Sequence, residues 1–198
     1  MSQANGTILS LSSSTQHAFS KTPVANITLI PGLGIEGDCH AGATVQHRSR
    51  LHITPPPANL RQVHLIPIEI LEKVSAGLSD GEKKRILEPG ALGQNITTQG
   101  LDLLSLSVGT ELHFVDASNP DGTAGAVIVL TGLRNPCPQI NKFHPGLQER
   151  FIVRDAERKI TGRLAGVMAT VKVGGVVRTG SEIRVVALPE QHVALGPV

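Results

Sequence analysis

The chain has no tryptophan and no tyrosine, and four phenylalanines are its only aromatic residues apart from histidine. Single-stranded nucleic acid is held by stacking aromatics beside clustered cations, and a net charge of +2 gives no general grip on a phosphate backbone. The composition therefore argues against a nucleic-acid partner. Nothing approaches the ~18 consecutive apolar residues that cross a bilayer, and the N-terminus has no basic segment leading into an apolar one. The expectation is a cytoplasmic protein with no membrane partner. Two cysteines, Cys39 and Cys137, make no disulfide framework and are expected as free thiols. No Gly-x-Ser-x-Gly elbow supports a serine hydrolase. Flavin, haem and iron-sulfur motifs are missing too, so any redox chemistry needs an external electron donor.

Without large aromatics, the core must be built from Val, Ile, Leu and Ala, and with 21 Gly and 13 Pro this favours many short strands and tight turns. Strands are expected over residues 6–11, 24–30, 61–66, 90–98, 107–115 and 125–130, with a Ser-rich connection at residues 10–14. Residues 167–173 and 176–178 read as a hairpin around Gly174-Gly175, and residues 181–188 as the strand that closes the sheet. Pro67 opens one amphipathic helix over residues 68–78, and a second is expected over residues 143–156. The charged run 80–85 reads as a solvated loop. The fold class is mainly β: a largely antiparallel, Gly-rich closed barrel with one or two short helices, as a single domain over residues 1–198.

Chemistry concentrates at Thr131-Gly-Leu-Arg-Asn-Pro-Cys-Pro-Gln-Ile140, directly after an apolar strand. Pro136 and Pro138 fix the backbone on either side of Cys137, and Arg134 offers a permanent cation that favours a thiolate. Pro31-Gly-Leu-Gly-Ile-Glu-Gly-Asp38 is a glycine-rich turn of the kind that presents backbone N–H groups to an anion. Cys39 and His40 follow it. A zinc site from Cys39, His40, Cys137 and His144 would use adjacent ligands and lacks the Cys-x2-Cys or His-x3-His spacing. A Cys–His hydrolase would need His40 or His144 brought to Cys137 by folding.

Taken in order, Gly34-Ile-Glu-Gly-Asp-Cys-His-Ala-Gly42, Asn59-Leu-Arg-Gln-Val-His-Leu65, Gly90-Ala-Leu-Gly-Gln-Asn-Ile-Thr-Thr98, the Cys137 loop and Gly166-Val-Met-Ala169 resemble the MOSC family. That is the domain at the C-terminus of molybdenum cofactor sulfurases, also found as standalone proteins. The match runs from about residue 6 to 188, leaving a tail at 189–198. The resemblance implies a barrel of the pyruvate-kinase-barrel type and a molybdenum cofactor of the molybdopterin type. It makes Cys137 a sulfur carrier, as a persulfide, or a molybdenum ligand. It further assigns Gly37, Asp38 and His40 to a Gly-Asp-X-His element and Asn95 to a Gly-Glu-Asn-Leu element, with Cys39 and Gln94 departing from the usual Arg and Glu.

Arg134 and Asn135 would flank the cofactor, and Arg48, Arg50, Arg61 and Lys142 are the cations to try against a pterin phosphate. The implied activities are sulfur transfer, with a cysteine desulfurase as donor partner, or reduction of N-hydroxylated compounds, with an electron-donor protein. The alternative is a non-catalytic module that binds and delivers a pterin or another phosphorylated ligand. No pyridoxal phosphate is expected, since the chain has neither the length nor the Lys-centred motif of a desulfurase domain.

Overall fold

The computed structural model describes residues 5–47, 50, 52–116, 125–187 and 189–198. Its first strand, β1 (Asn5–Ser13), alternates exposed and buried positions and places Ile8 and Leu11 inside. The Ser-rich stretch is therefore strand through Ser13 rather than connection. After β2 (Thr22–Val24), β3 (Asn26–Ile30) and β4 (Gly34–Ile35), a long segment leads to β5 (Val63–Pro67). Every residue of β5 is buried. Val63 and Leu65 enter the barrel core, and Ile66, on the opposite face, joins a second apolar cluster. Side chains alternate across a strand, so both faces of β5 are covered.

What covers the outer face is a helical layer. Pro67 caps α1 (Ile68–Ser75), whose Leu71 and Val74 pack inward. The charged run is not a loop: it is α2 (Asp80–Leu87), started by a capping box in which Ser79 and Glu82 satisfy each other's backbone, and anchored by buried Ile86. β6 (Ile96–Gln99) then pairs parallel to β5, which is possible because the two helices make the crossover. A 3₁₀ turn (Leu103–Ser105), β7 (Glu111–Val115) and β8 (Ala126–Leu133) follow.

Of the second helix expected over residues 143–156 only α4 (Leu147–Arg150) forms: α3 (Gln139–Phe143) ends where that span begins, Pro145 and Gly146, the latter with a left-handed φ of 80°, separate the two, and residues 152–154 are strand. Beyond these come β9 (Ile152–Arg154), β10 (Ile160–Arg163), β11 (Val167–Val173), β12 (Gly175–Arg178) and β13 (Glu182–Ala187).

Seven strands close a barrel in the order β13-β7-β8-β11-β5-β6-β1, with β1 returning to β13. The strand over residues 182–187 does close the sheet as expected, while Leu188 lies outside the described residues. Only the β5–β6 pair of the barrel is parallel, so the sheet is mixed. Among the described residues four short α-helices stand where one or two were expected. The expected β11–β12 hairpin does not form: β11 pairs with β5 and β8, whereas β12 pairs with β3 in a separate β12-β3-β4 sheet. Ile27, Leu29, Ile35 and Val177 of that sheet complete the barrel core. No helix among the described residues is long and apolar enough to cross a membrane.

Candidate functional site

The floor of the site is a cross-strand pair. His64 of β5 stands opposite Met168 of β11, both on the face turned away from the barrel interior, since their neighbours Leu65, Val167 and Ala169 belong to the barrel core. Together with the loops above it, this pair lines a concavity of about 640 Å³, open mouth included. The site is thus on the flank of the barrel beside the helical layer, rather than in a barrel mouth.

Asp38 is the anchor of one wall. Its carboxylate is buried and accepts from Lys21 Nζ at 2.7 Å, Asn95 Nδ2 at 3.0 Å and the His40 backbone N–H at 3.0 Å. Weaker contacts reach it from Ser13 Oγ and the Ser14 backbone. Burial alone would raise the Asp38 carboxyl, but the hydrogen bonds from His40 and the Lys21 ammonium outweigh it and hold the group far below its ordinary value. Burial also lowers Lys21, against the pull of Asp38. The two form a buried ion pair with side-chain exposures of 3% and 1%.

Asn95 is equally committed. Its Nδ2 donates to Ser12 O and to Asp38, and its Oδ1 accepts from the His64 backbone N–H. It lines the cavity yet has no spare amide hydrogen, so its place is to join β1, β5 and the Asp38 turn. Gln94 is likewise internal, accepting from Leu92 N and donating to Thr97 Oγ1. Gly37, with φ 72°, stands in the turn but borders a different groove, beside Ser13, Ser14 and Ile35.

The opposite wall is cationic. Arg61, held by the bond from its backbone to Asn59 Oδ1, has a buried Nε with no hydrogen-bond partner among the described residues. Burial, with Arg50 and Arg134 nearby, pulls its guanidinium down to about 10. Burial and the charges of Arg61, His40, Arg134 and Arg50 push His47 to about 4. His64 is driven well below its ordinary value by burial and then by Arg134, and its Nε2 donates to Ala165 O at 2.8 Å. Among the described residues, the lining side chains include Lys21, His40, His47, Arg61, His64 and Arg134 but no carboxylate. Such a wall suits an anion.

Arg134 connects this wall to the cysteine. Its guanidinium donates to Leu92 O and lies beside Cys137; burial lowers Arg134, and the nearby Cys137 works the other way. Cys137 is half-buried against the helical cluster, with Sγ 3.9 Å from Gln139 Oε1. It is not itself a lining residue, but Arg134 and Gln139 are. Asn135 is exposed and accepts from Arg163 Nε at 2.9 Å, outside the cavity. His144 lies 3.8 Å from Glu82, and Cys137 has no histidine partner among the described residues, so the Cys–His hydrolase has no base in place. Lys142 borders a separate shallow groove by Phe19 and Phe143. Arg48 lies outside the described residues.

The structure thus brings Asp38, His40, Asn95, Arg61 and Arg134 to one place with Cys137 at its edge. Lys21, His47, His64 and Met168 also line the cavity, unpredicted, while Asp38 stands behind it. His64 stands in the quoted Asn59-to-Leu65 run and could have been taken from it, whereas Lys21 sits in a segment with no motif at all.

A sequence model of the MOSC domain matches residues 40–184. No curated protein matches the chain significantly. Among solved structures, the YUAD protein from Bacillus subtilis superposes with a TM-score of 0.64 at 23% identity, covering 92% of this chain and 96% of that one. YiiM from Escherichia coli gives a TM-score of 0.60 at 16% identity, covering 98% and 73%. YiiM from Geobacillus stearothermophilus gives 0.55 at 18% identity, covering 92% and 75%. At these identities the likeness is one of fold.

Proposed function

Since the chain belongs to the MOSC domain family, which is associated with the molybdenum cofactor, we propose that its flank cavity binds a cofactor of the molybdopterin type. Cys137 would then serve as sulfur carrier or molybdenum ligand. The observation that carries this reading is a wall that, among the described residues, has no carboxylate and leaves the buried Arg61 Nε without a partner. An unpaired buried donor costs about 1–3 kcal/mol, and a phosphate would remove that cost.

The residues fit the group. Arg61, with Arg50 close by, would hold the pterin phosphate, and His40 would face it as a donor. The Lys21–Asp38 pair is spent on itself and keeps the His40 turn in place. Arg134 would stand beside the Cys137 sulfur, the atom that attacks or ligates. When bound, the cofactor would supply a redox-active, sulfur-accepting metal. Under the reductase form of this reading the substrate is an N-hydroxylated compound and an electron-donor protein docks; under the carrier form, a cysteine desulfurase charges Cys137.

The test is to purify the full chain from a host that makes the cofactor, then measure molybdenum, released pterin and the mass of the Cys137 peptide. Pterin in the wild type, lost in Arg61→Met, supports the reading. Neither pterin nor molybdenum in the wild type overturns it. A second reading, a non-catalytic delivery module, is favoured by Cys137 standing beside the lining rather than in it. It expects Cys137→Ser to retain pterin and metal as well as the wild type does.

A further inference from the structure

We infer that His17, Cys39 and His40 form a separate site for one divalent ion of the zinc class. One ring nitrogen from each histidine and the Cys39 sulfur lie within 4.8 Å of one another. Two imidazoles and a thiolate are the donor set that borderline-soft ions such as zinc prefer. None of these groups is needed by the cofactor reading except His40.

The cluster is held as metal ligands are usually held. His17 Nε2 meets Gln46 O at 2.9 Å, a backbone carbonyl that fixes the ring and leaves Nδ1 as the lone-pair nitrogen. His40 Nδ1 stands 3.2 Å from Cys39 Sγ, so these sequence neighbours point to one side. That geometry reverses the objection to adjacent ligands, and the partner is His17 rather than Cys137 or His144. The Cys39 backbone is fixed by its bond to Ser14 O. The His17 and His40 rings are 5.3 Å apart, edge to face.

Charge permits the ion. Asp38 Oδ2 is matched by Lys21, and its Oδ1, 3.3 Å from His40 Nδ1, also accepts the His40 backbone N–H. On binding, the Cys39 S–H bond breaks, a metal–sulfur bond forms and the proton leaves to solvent. Three protein ligands leave a fourth position for water or a ligand, and a small cavity lined by His17, Ala18, His40, His47 and Gln139 adjoins the two histidines.

Cobalt(II), titrated into the reduced, chelator-treated full chain, is the probe. One equivalent should bind and give thiolate-to-cobalt charge-transfer absorption, which zinc(II) then displaces. Cys39→Ser should abolish the band, and Cys137→Ser should leave it intact. His17→Ala, at an exposed position, should weaken binding by at least about tenfold, the loss that even outer partners of a metal produce. The proposal is overturned by no binding, by binding without the band, by a band that follows Cys137, or by a His17→Ala protein that binds like the wild type. Loss of pterin in any variant leaves these outcomes unchanged, so the two readings fail separately.

Discussion

Asn95 Nδ2 donates to Asp38 Oδ2 at 3.0 Å and thereby ties the loop before β6 to the turn after β4. The same oxygen receives Lys21 Nζ at 2.7 Å. Three distant segments are thus fixed on one buried carboxylate, and removing its charge strands the ammonium. Asp38→Asn should cost about 3–5 kcal/mol, as for one half of a buried pair. The double variant Asp38→Asn, Lys21→Met should recover much of that loss. Urea unfolding of the two proteins checks it, and equal losses would show that Lys21 is not the group left exposed to the charge imbalance.

Stability should fall between pH 7 and pH 5. His64 and His47 are both held below the ordinary histidine value in the folded chain, His47 at about 4. Below about pH 6.5 the unfolded chain binds protons that the folded chain refuses, so stability is lost as the pH falls through this window. Each such group contributes a slope of at most about 1.4 kcal/mol per pH unit. Asp38 has the opposite chemistry but the same sign, since its depressed carboxyl contributes stability only above about pH 4 and loses it at lower pH. His64→Asn should flatten the pH 5–7 slope in thermal melts without touching the loss below pH 4.

Cys137 should react faster with a thiol probe than Cys39 at neutral pH. Burial and then the Asp38 charge raise the Cys39 thiol, while Cys137 has the Arg134 guanidinium on its sulfur. Arg134→Met should slow Cys137 selectively. Stopped-flow labelling followed by peptide mapping separates the two sites.

Two glycines of the quoted motifs should differ sharply when given a Cβ. At Gly166, with φ 92°, a Cβ would sit 2.2 Å from Leu65 O and 2.8 Å from His64 Nε2. Strain and overpacking together should cost about 3 kcal/mol or more. Gly37 has φ 72° and nothing within 4 Å, so Gly37→Ala should cost only the left-handed backbone penalty of about 1–2 kcal/mol. Denaturant midpoints of the two alanine variants decide it.

The barrel was legible because its strands carry the period-2 signal of buried Val, Ile and Leu, as β1 and β13 do. The helix α2 was hidden because Asp80 to Arg85 reads as solvated charge unless the Ser79-x-x-Glu82 pair is weighed as a cap. The Gly174-Gly175 pair read as a hairpin turn, but two glycines do not say which strands flank them in space, and here the chain runs on from β11 into β12 and leaves the barrel to pair with β3. At the site, Asp38, His40, Arg61, Asn95 and Arg134 lie in motifs with unusual residue types. Lys21 does not, because its meaning comes wholly from the carboxylate that folding brings to it.

Arg61 should trade stability for binding. Its guanidinium is drawn down to about 10 by burial and by two neighbouring arginines, and its Nε has no partner among the described residues. In the ligand-free chain these are costs, so Arg61→Met, which keeps the volume of the stem, should leave the unfolding free energy unchanged or raise it by up to about 1 kcal/mol. An anion reverses the balance by supplying both charge and acceptors. Inorganic phosphate should therefore raise the melting temperature of the wild type more than that of Arg61→Met, and the difference should shrink as chloride is added and screens the site. A variant that is strongly destabilised, or that gains as much from phosphate as the wild type, would make Arg61 a structural cation rather than the anion-binding one.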